Sequence, residues 1–183
     1  EVCVGGPGHF FGHGQTLARM QPDYYYPALA DRRAPQEWAV AVDRDLLERA
    51  RERLRQVGPA WPVRLVEGKV ERIPFQDGMF DCVVDTFSLC VYEEPVGALR
   101  EMRRMVKKAP RSRVWLLEHV RSDFSPMACY QDVTAASVAT FSKGCRWNQD
   151  VLSMAKDAGL SLVRAERFLG GTVIKAEFQV LDT

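Results

Sequence analysis

Apolar and polar residues follow two different periods along this chain, which predicts strands separated by helices. The runs EVCVGG, EWAVAVD, PVRLVEG, FDCVVDTFSLC and RVWLLEHV are short and rich in apolar residues, which predicts strands, and FDCVVDTFSLC has the unbroken apolar character of a strand covered on both faces. DLLERARERL and EEPVGALREMRRMVKK instead repeat apolar residues at helical spacing. The second of these helices has Val96, Leu99, Met102 and Val106 on one face.

The last third of the chain predicts a different ending. Residues 123–144 have no clear period, DVLSMAKDAGL predicts a helix that ends at Gly159, and LSLVRAERFLGGTVIKAEFQV predicts two strands joined at Gly170 and Gly171. The whole order predicts an α/β fold with a mostly parallel sheet, helices on both faces and an antiparallel terminal hairpin. Ligands of such sheets bind at the carboxyl ends of the strands, where the strand order reverses.

Length and composition indicate a single domain whose positive and negative charges nearly balance. The 183 residues carry 25 Lys and Arg against 24 Asp and Glu, so overall charge does not favour a nucleic acid or membrane partner. We interpret residues 15–37, which contain three prolines and the run Tyr24–Tyr26, as an insertion loop within a single domain of residues 1–183. A targeting segment or anchor upstream of Glu1 is compatible with the sequence.

The cysteine pattern favours reduced thiols over disulfides or zinc. The chain has five cysteines, an odd number, and none of them forms a CxxC pair. Cys90 and Cys145 are therefore predicted to be small core residues. His9 and His13 have helical spacing for a metal, but the glycines around them argue against a helix, and no metal site is predicted.

Two features at the predicted strand ends suggest a ligand site. GGPG follows the first strand, and glycines let a backbone approach a ligand closely. Asp43 follows the second strand, where a carboxylate accepts hydrogen bonds from ribose hydroxyls or, alternatively, caps the next helix. His119 ends the fifth strand and is a candidate general base, although with Glu118 it can instead stabilise the strand end.

The stretch GKVERIPFQDGMFDCVVDTFSLCVYEEPVGALREMRRMVKKAPRSRVWLLEHVRS and the later GCRWNQDVLSMAKDAGL resemble class I S-adenosylmethionine-dependent methyltransferases. Within that class they are most similar to a small methyltransferase-like family that includes thiol methyltransferases, mitochondrial methyltransferase-like proteins and, more distantly, quinone-biosynthesis methyltransferases. The resemblance implies a Rossmann-like, doubly wound, seven-stranded sheet and S-adenosylmethionine as cofactor. It also implies a mitochondrial location, with a cytoplasmic or membrane-associated one as the alternative.

The same resemblance assigns the cofactor contacts. Gly5, Gly6 and Gly8 would lie against the methionine part, Asp43 would hold the ribose, and Thr86 would face the sulfonium. Lys69 would border the adenine amino group, and Val70 would contact the ring through its backbone. Lys69 departs from the family because an ammonium group cannot accept a hydrogen bond from that amino group.

Two functions therefore remain open at the level of sequence. In the first, the protein methylates a small thiol, a quinone-like molecule or another acceptor. In the second, it is an inactive methyltransferase-fold subunit or assembly factor of a mitochondrial ribonucleoprotein. The second would bind a protein and RNA complex through the basic helix Arg100–Lys108 and the aromatic residues of the insertion.

Overall fold

In a computed structural model, seven strands and three α-helices are described. The structure describes the backbone of residues 2–5, 38–42 and 63–67, and both backbone and side chains of residues 55, 72, 75–142 and 144–180. Within these residues the strands are β1 (Val2–Gly5), β2 (Trp38–Val42), β3 (Val63–Glu67), β4 (Cys82–Thr86), β5 (Arg113–His119), β6 (Ser161–Phe168) and β7 (Val173–Gln179). The helices are α1 (Pro95–Met105), α2 (Ser125–Phe141) and α3 (Val151–Asp157).

The strands pair in the order β3-β2-β1-β4-β5-β7-β6. Every pair from β3 to β5 is parallel, whereas β7 is antiparallel to both β5 and β6. The predicted α/β class, with a parallel sheet and an antiparallel terminal hairpin, is therefore confirmed. The predicted insertion at residues 15–37 and the predicted helix at residues 45–54 lie outside the described residues.

The core lies between the central strands and helices α1 and α3. Leu99 and Met102 of α1 are fully buried, as the apolar spacing of this helix predicts, and Val106 directly after it is buried too. They pack in one cluster with Leu116 of β5 and Val151 of α3. Burial of such side chains contributes roughly 1.5–3 kcal/mol each to folding. This cluster therefore fixes the positions of β4 and β5, and with them the segments that follow their carboxyl ends.

The structure corrects the predicted length of the fourth strand. The apolar run continues to Cys90, but β4 ends at Thr86 because Phe87 takes a left-handed backbone conformation with φ of 49°. A single 3₁₀ turn, Leu89–Val91, follows, and both Leu89 and Cys90 are buried in it. The residues after Phe87 therefore leave the sheet at its carboxyl edge, where they contribute side chains to a site.

Residues 125–141, which lie in the stretch without a predicted period, form the long helix α2. Its apolar residues are spread around the helix, and Tyr130, Val133 and Phe141 are exposed. Gln131 is fully buried; it donates to the carbonyls of Val120 and Trp147 and accepts from the Ser122 amide. In the part of the chain with described structure, no helix combines the length and apolar character needed to cross a bilayer.

Candidate functional site

The carboxyl ends of the parallel strands meet at one edge of the sheet, and the strand order reverses at β1. Gly5 ends β1 and is in register with Thr86, the last residue of β4, while β2 pairs with the other side of β1. A crevice at such a reversal is the usual ligand position in open α/β sheets. Gly5 and Thr86, two residues predicted to contact the cofactor, are therefore adjacent in the sheet.

The remaining predicted cofactor contacts lie outside the described residues. These residues are Gly6, Gly8, Asp43, Lys69 and Val70. The structure nevertheless fixes where two of the segments begin, because β1 ends immediately before Gly6 and β2 ends immediately before Asp43. Both segments therefore start from the carboxyl edge that the sequence predicts for them.

Phe87 redirects the chain at this edge. Its amide donates to the Leu117 carbonyl over 2.9 Å, which extends the pairing of β4 and β5 by one bond. Its ring lies against the His119 ring with a centroid distance of 4.9 Å. A left-handed conformation at a bulky residue is costly and occurs preferentially at functional sites. The turn therefore holds His119 in place at the end of β5.

A buried carboxyl pair lies directly behind this turn. Glu118 Oε1 accepts from the Ser88 amide over 2.9 Å. Asp85 Oδ1 accepts from the Ser88 hydroxyl and, over 3.3 Å, from the Tyr92 hydroxyl. Asp85, Ser88 and Glu118 are all fully buried. These bonds connect the end of β4, the following turn and the end of β5 in one polar network.

The pair is unusually basic because it is buried. Burial raises the pKa of Asp85 to about 7, although hydrogen bonds from Ser88 and Tyr92 act in the opposite direction. Burial and the neighbouring Asp85 charge raise the pKa of Glu118 well above its usual range. Two nearby carboxylates without solvent do not both ionise easily, so the pair retains a proton near neutral pH.

The His119 ring nitrogen Nδ1 lies close to two cysteine sulfurs. Cys145 Sγ lies 3.1 Å from Cys90 Sγ and 3.9 Å from His119 Nδ1. The hydrogen bond with Cys90 and the adjacent His119 lower the pKa of Cys145 to about 5, whereas the hydrogen bond with Cys145 and burial raise the pKa of Cys90. Cys90 and Cys145 are each 2% exposed, and His119 is half-buried.

The structure thus gives the two residues of the Glu118–His119 pair separate surroundings. Glu118 supports the turn at Ser88, and His119 faces Cys145 and Phe87. Burial agrees with Cys90 and Cys145 being core residues, but sequence reasoning did not bring them together. They are 55 positions apart, and His119 is 26 positions before Cys145, so no local spacing marks the cluster.

Comparison with known proteins agrees with this architecture. A sequence family described as a methyltransferase domain matches residues 22–110. The mitochondrial methyltransferase OMS1 of Saccharomyces cerevisiae is 36% identical over 93 residues, which cover 51% of this chain and 19% of that protein. The ubiquinone/menaquinone biosynthesis C-methyltransferase UbiE of Cronobacter sakazakii is 28% identical over 150 residues, which cover 72% of this chain and 59% of that protein.

The fold is also shared with solved structures. The structure of PigF with SAH superposes with a TM-score of 0.65 at 17% identity, covering 99% of this chain and 56% of that one. At this identity the likeness concerns the fold alone. The chain spans about a fifth of the length of the OMS1 protein and about three fifths of that of UbiE.

Proposed function

We infer that this protein is a class I S-adenosylmethionine-dependent methyltransferase, which transfers the methyl group of S-adenosylmethionine to an acceptor molecule. The observation that carries this proposal is the reversal of strand order at β1, with Gly5 in register with Thr86. The matched methyltransferase domain and its relatives support the same cofactor.

The residues at this edge fit the cofactor. A glycine at the end of β1 leaves the crevice free of a side chain, and Thr86 beside it is half-buried with a hydroxyl group. S-adenosylmethionine, when bound, supplies a methyl group already activated on a sulfonium. The protein must therefore orient the acceptor and accept its proton where it has one.

The individual roles follow from the resemblance to class I methyltransferases. Gly5, Gly6 and Gly8 would hold the methionine part, and Thr86 would face the sulfonium. Asp43, directly after β2, would accept the ribose hydroxyls, while Lys69 and Val70 would border the adenine. The role of His119 as general base stays a prediction. Its Nδ1 lies 3.9 Å from Cys145 Sγ.

We further propose that the observed strand order is the complete seven-stranded, doubly wound sheet of this class. Support comes from the parallel pairing of β1 to β5, which needs crossover connections, and from helices α1 and α3, which pack together in one cluster on the sheet. A mitochondrial location stays a prediction supported by the similarity to the mitochondrial OMS1 protein.

No comparison supports the alternative of an inactive ribonucleoprotein subunit. The basic helix predicted to bind RNA is also partly engaged within the domain. Arg104 pairs with Glu101 and Asp77, and Lys107 pairs with Asp81. Binding phosphates through these groups would require them to exchange their present partners, so enzyme function is the better supported proposal.

Binding of S-adenosylmethionine and S-adenosylhomocysteine, measured by isothermal titration calorimetry on the full chain, tests the proposal. We expect saturable binding of both. Asp43→Ala should weaken it about tenfold to hundredfold, because hydrogen bonds to a charged group contribute about 1.5–3 kcal/mol. Thr86→Val should weaken it less, because it removes a single neutral hydroxyl.

Two control variants lie away from this edge. Asp157→Ala at the end of α3 and Thr140→Val on the exposed part of α2 should bind like the unchanged protein. Absence of binding to the folded, unchanged protein would overturn the cofactor assignment. Equal losses in the control variants would show that the effects come from the fold rather than from the crevice.

A further inference from the structure

We propose that Cys90, His119 and Cys145 form a binding site for a soft divalent metal ion, with Zn²⁺ as the best match. Thiolate sulfur and imidazole nitrogen are the ligands that zinc prefers in proteins. In this protein, the two sulfurs of Cys90 and Cys145 and a ring nitrogen of His119 all lie within 4.8 Å of one another. This proposal departs from the sequence-based expectation of no metal, and it does not depend on methyl transfer.

The geometry needs only a small adjustment to coordinate zinc. With Zn–S bonds of about 2.3 Å and Zn–N bonds of about 2.0–2.1 Å, ligand atoms around a tetrahedral ion lie roughly 3.5–3.8 Å apart. The distance from Cys145 Sγ to His119 Nδ1 is 3.9 Å, already close to this value. The two sulfurs, 3.1 Å apart, would have to separate by less than an ångström. Cys90 Sγ and the imidazole nitrogen lie within 4.8 Å of each other and would have to approach by at most about 1.3 Å.

Backbone hydrogen bonds already hold the three ligand segments together. Cys90 lies in the turn after β4, His119 ends β5, and Cys145 precedes α3. The Arg146 amide donates to the Cys90 carbonyl over 2.9 Å. The Arg121 amide, two residues after His119, donates to the Gln149 carbonyl over 2.9 Å. A metal ion would therefore bind a preorganised site with little further loss of conformational entropy.

Burial favours a metal over thiol oxidation. Each of the two cysteines is only 2% exposed, so a glutathione-sized disulfide reaches neither sulfur without local opening. A divalent cation also resolves the electrostatics of the cluster, because two thiolates and a neutral imidazole give a neutral complex with Zn²⁺. Each thiol that is still protonated would lose its proton to solvent on binding.

The described residues supply three ligands, which leaves one coordination position. Zinc sites with three protein ligands keep the fourth for water or another exchangeable group, whereas closed structural sites have four. The cluster also lies at the carboxyl ends of β4 and β5, on the edge of the sheet where ligands bind. We therefore expect an ion that a chelator removes and that added metal restores.

Metal binding to the full chain, reduced and freed of metal by dialysis against a chelator, tests the site directly. Co²⁺ serves as a spectroscopic probe, and a chromogenic chelator in competition reports Zn²⁺ affinity. We expect one ion per chain and a thiolate-to-cobalt charge-transfer band. Cys90→Ser and Cys145→Ser should each abolish the band, and His119→Asn should weaken Zn²⁺ affinity at least tenfold.

Cys129→Ser is the matched control, because Cys129 is an exposed cysteine on α2 outside the cluster. This variant should bind Co²⁺ and Zn²⁺ like the unchanged protein, and circular dichroism establishes that each variant is folded. The proposal is overturned if the folded, reduced protein binds no stoichiometric metal, or if folded Cys90→Ser and Cys145→Ser variants retain the charge-transfer band. Mass spectrometry that finds a Cys90–Cys145 disulfide in the protein purified with reductant would overturn it as well.

Discussion

The Ser88 amide donates to Glu118 Oε1 over 2.9 Å, and this bond joins the turn after β4 to the end of β5. Both residues are fully buried. The turn carries Phe87 on one side and Cys90 on the other, so its position affects both the crevice edge and the cysteine cluster. Glu118, which sequence reasoning grouped with a candidate base, is thus a supporting residue for the site.

Replacing Glu118 tests this support. Glu118→Ala should lower the free energy of unfolding by about 1–3 kcal/mol, because the buried Ser88 amide loses its acceptor. Glu118→Gln keeps an acceptor oxygen and should remain close to the unchanged protein. Urea unfolding measures both. Glu166→Ala on β6 is the control, since its ion pair with Arg164 is on the surface and contributes less than about 1 kcal/mol. Equal stabilities for the Ala and Gln variants of Glu118 would refute this role.

Because the pKa of Asp85 is raised in the folded protein, we expect the free energy of unfolding to decline as pH rises. Its pKa is about 7 in the folded protein against a usual value of 3.8, so the folded state binds the extra proton between these values. The free energy of unfolding should therefore fall between about pH 4 and about pH 7, and Glu118 acts in the same direction. Asp85→Asn should flatten this decline in urea midpoints compared at about pH 5 and about pH 8.

Asp132 provides a control of opposite sign for that experiment. Hydrogen bonds from Arg121 and Asn148 lower the pKa of this exposed carboxyl. Its contribution to stability is therefore present above the unfolded pKa and is lost as pH falls through the folded pKa. Asp132→Asn should leave the decline between about pH 5 and about pH 8 unchanged. A decline that persists fully in Asp85→Asn would contradict the assignment to Asp85.

The two glycines between β6 and β7 predict different tolerance to a methyl group. At Gly171, with φ of 83°, an added Cβ would lie 2.8 Å from Ser122 Oγ, closer than real contacts allow. At Gly170, with φ of 66°, the nearest atom would be Met127 Cε at 3.8 Å. Gly170→Ala should cost only the left-handed backbone term of about 1–2 kcal/mol. Gly171→Ala should cost clearly more.

Thermal unfolding of both variants measures this difference. Ser122→Ala serves as the second background, because it removes the hydroxyl that the new methyl group would meet. In that background the extra penalty of Gly171→Ala should shrink toward the value for Gly170→Ala. Identical penalties for the two glycine variants in the original background would show that the crowding at Ser122 is relieved without cost.

The local pattern of apolar and polar residues predicted the strands and helices that bury a continuous run or a single face of apolar side chains. The continuous apolar run of β5 and the spacing of Leu99, Met102 and Val106 on and after α1 are direct consequences of burial, and the structure confirms both elements. Helix α2 was not predicted, because its exposed apolar residues, such as Val133 and Phe141, remove the contrast between faces. The cofactor segments after β1, β2 and β3 lie outside the described residues, so those assignments stay predictions.

By itself the sequence determined the α/β class, the parallel sheet and the resemblance to methyltransferases, because strand and helix periods and contiguous motifs are properties of neighbouring residues. Only the tertiary structure decided that β4 ends at Phe87 and that Asp85 meets Glu118. Only it brought Cys145 to Cys90 and His119, across 55 and 26 positions of chain. Such contacts depend on how separate segments pack in space, and this packing cannot be inferred from local sequence patterns.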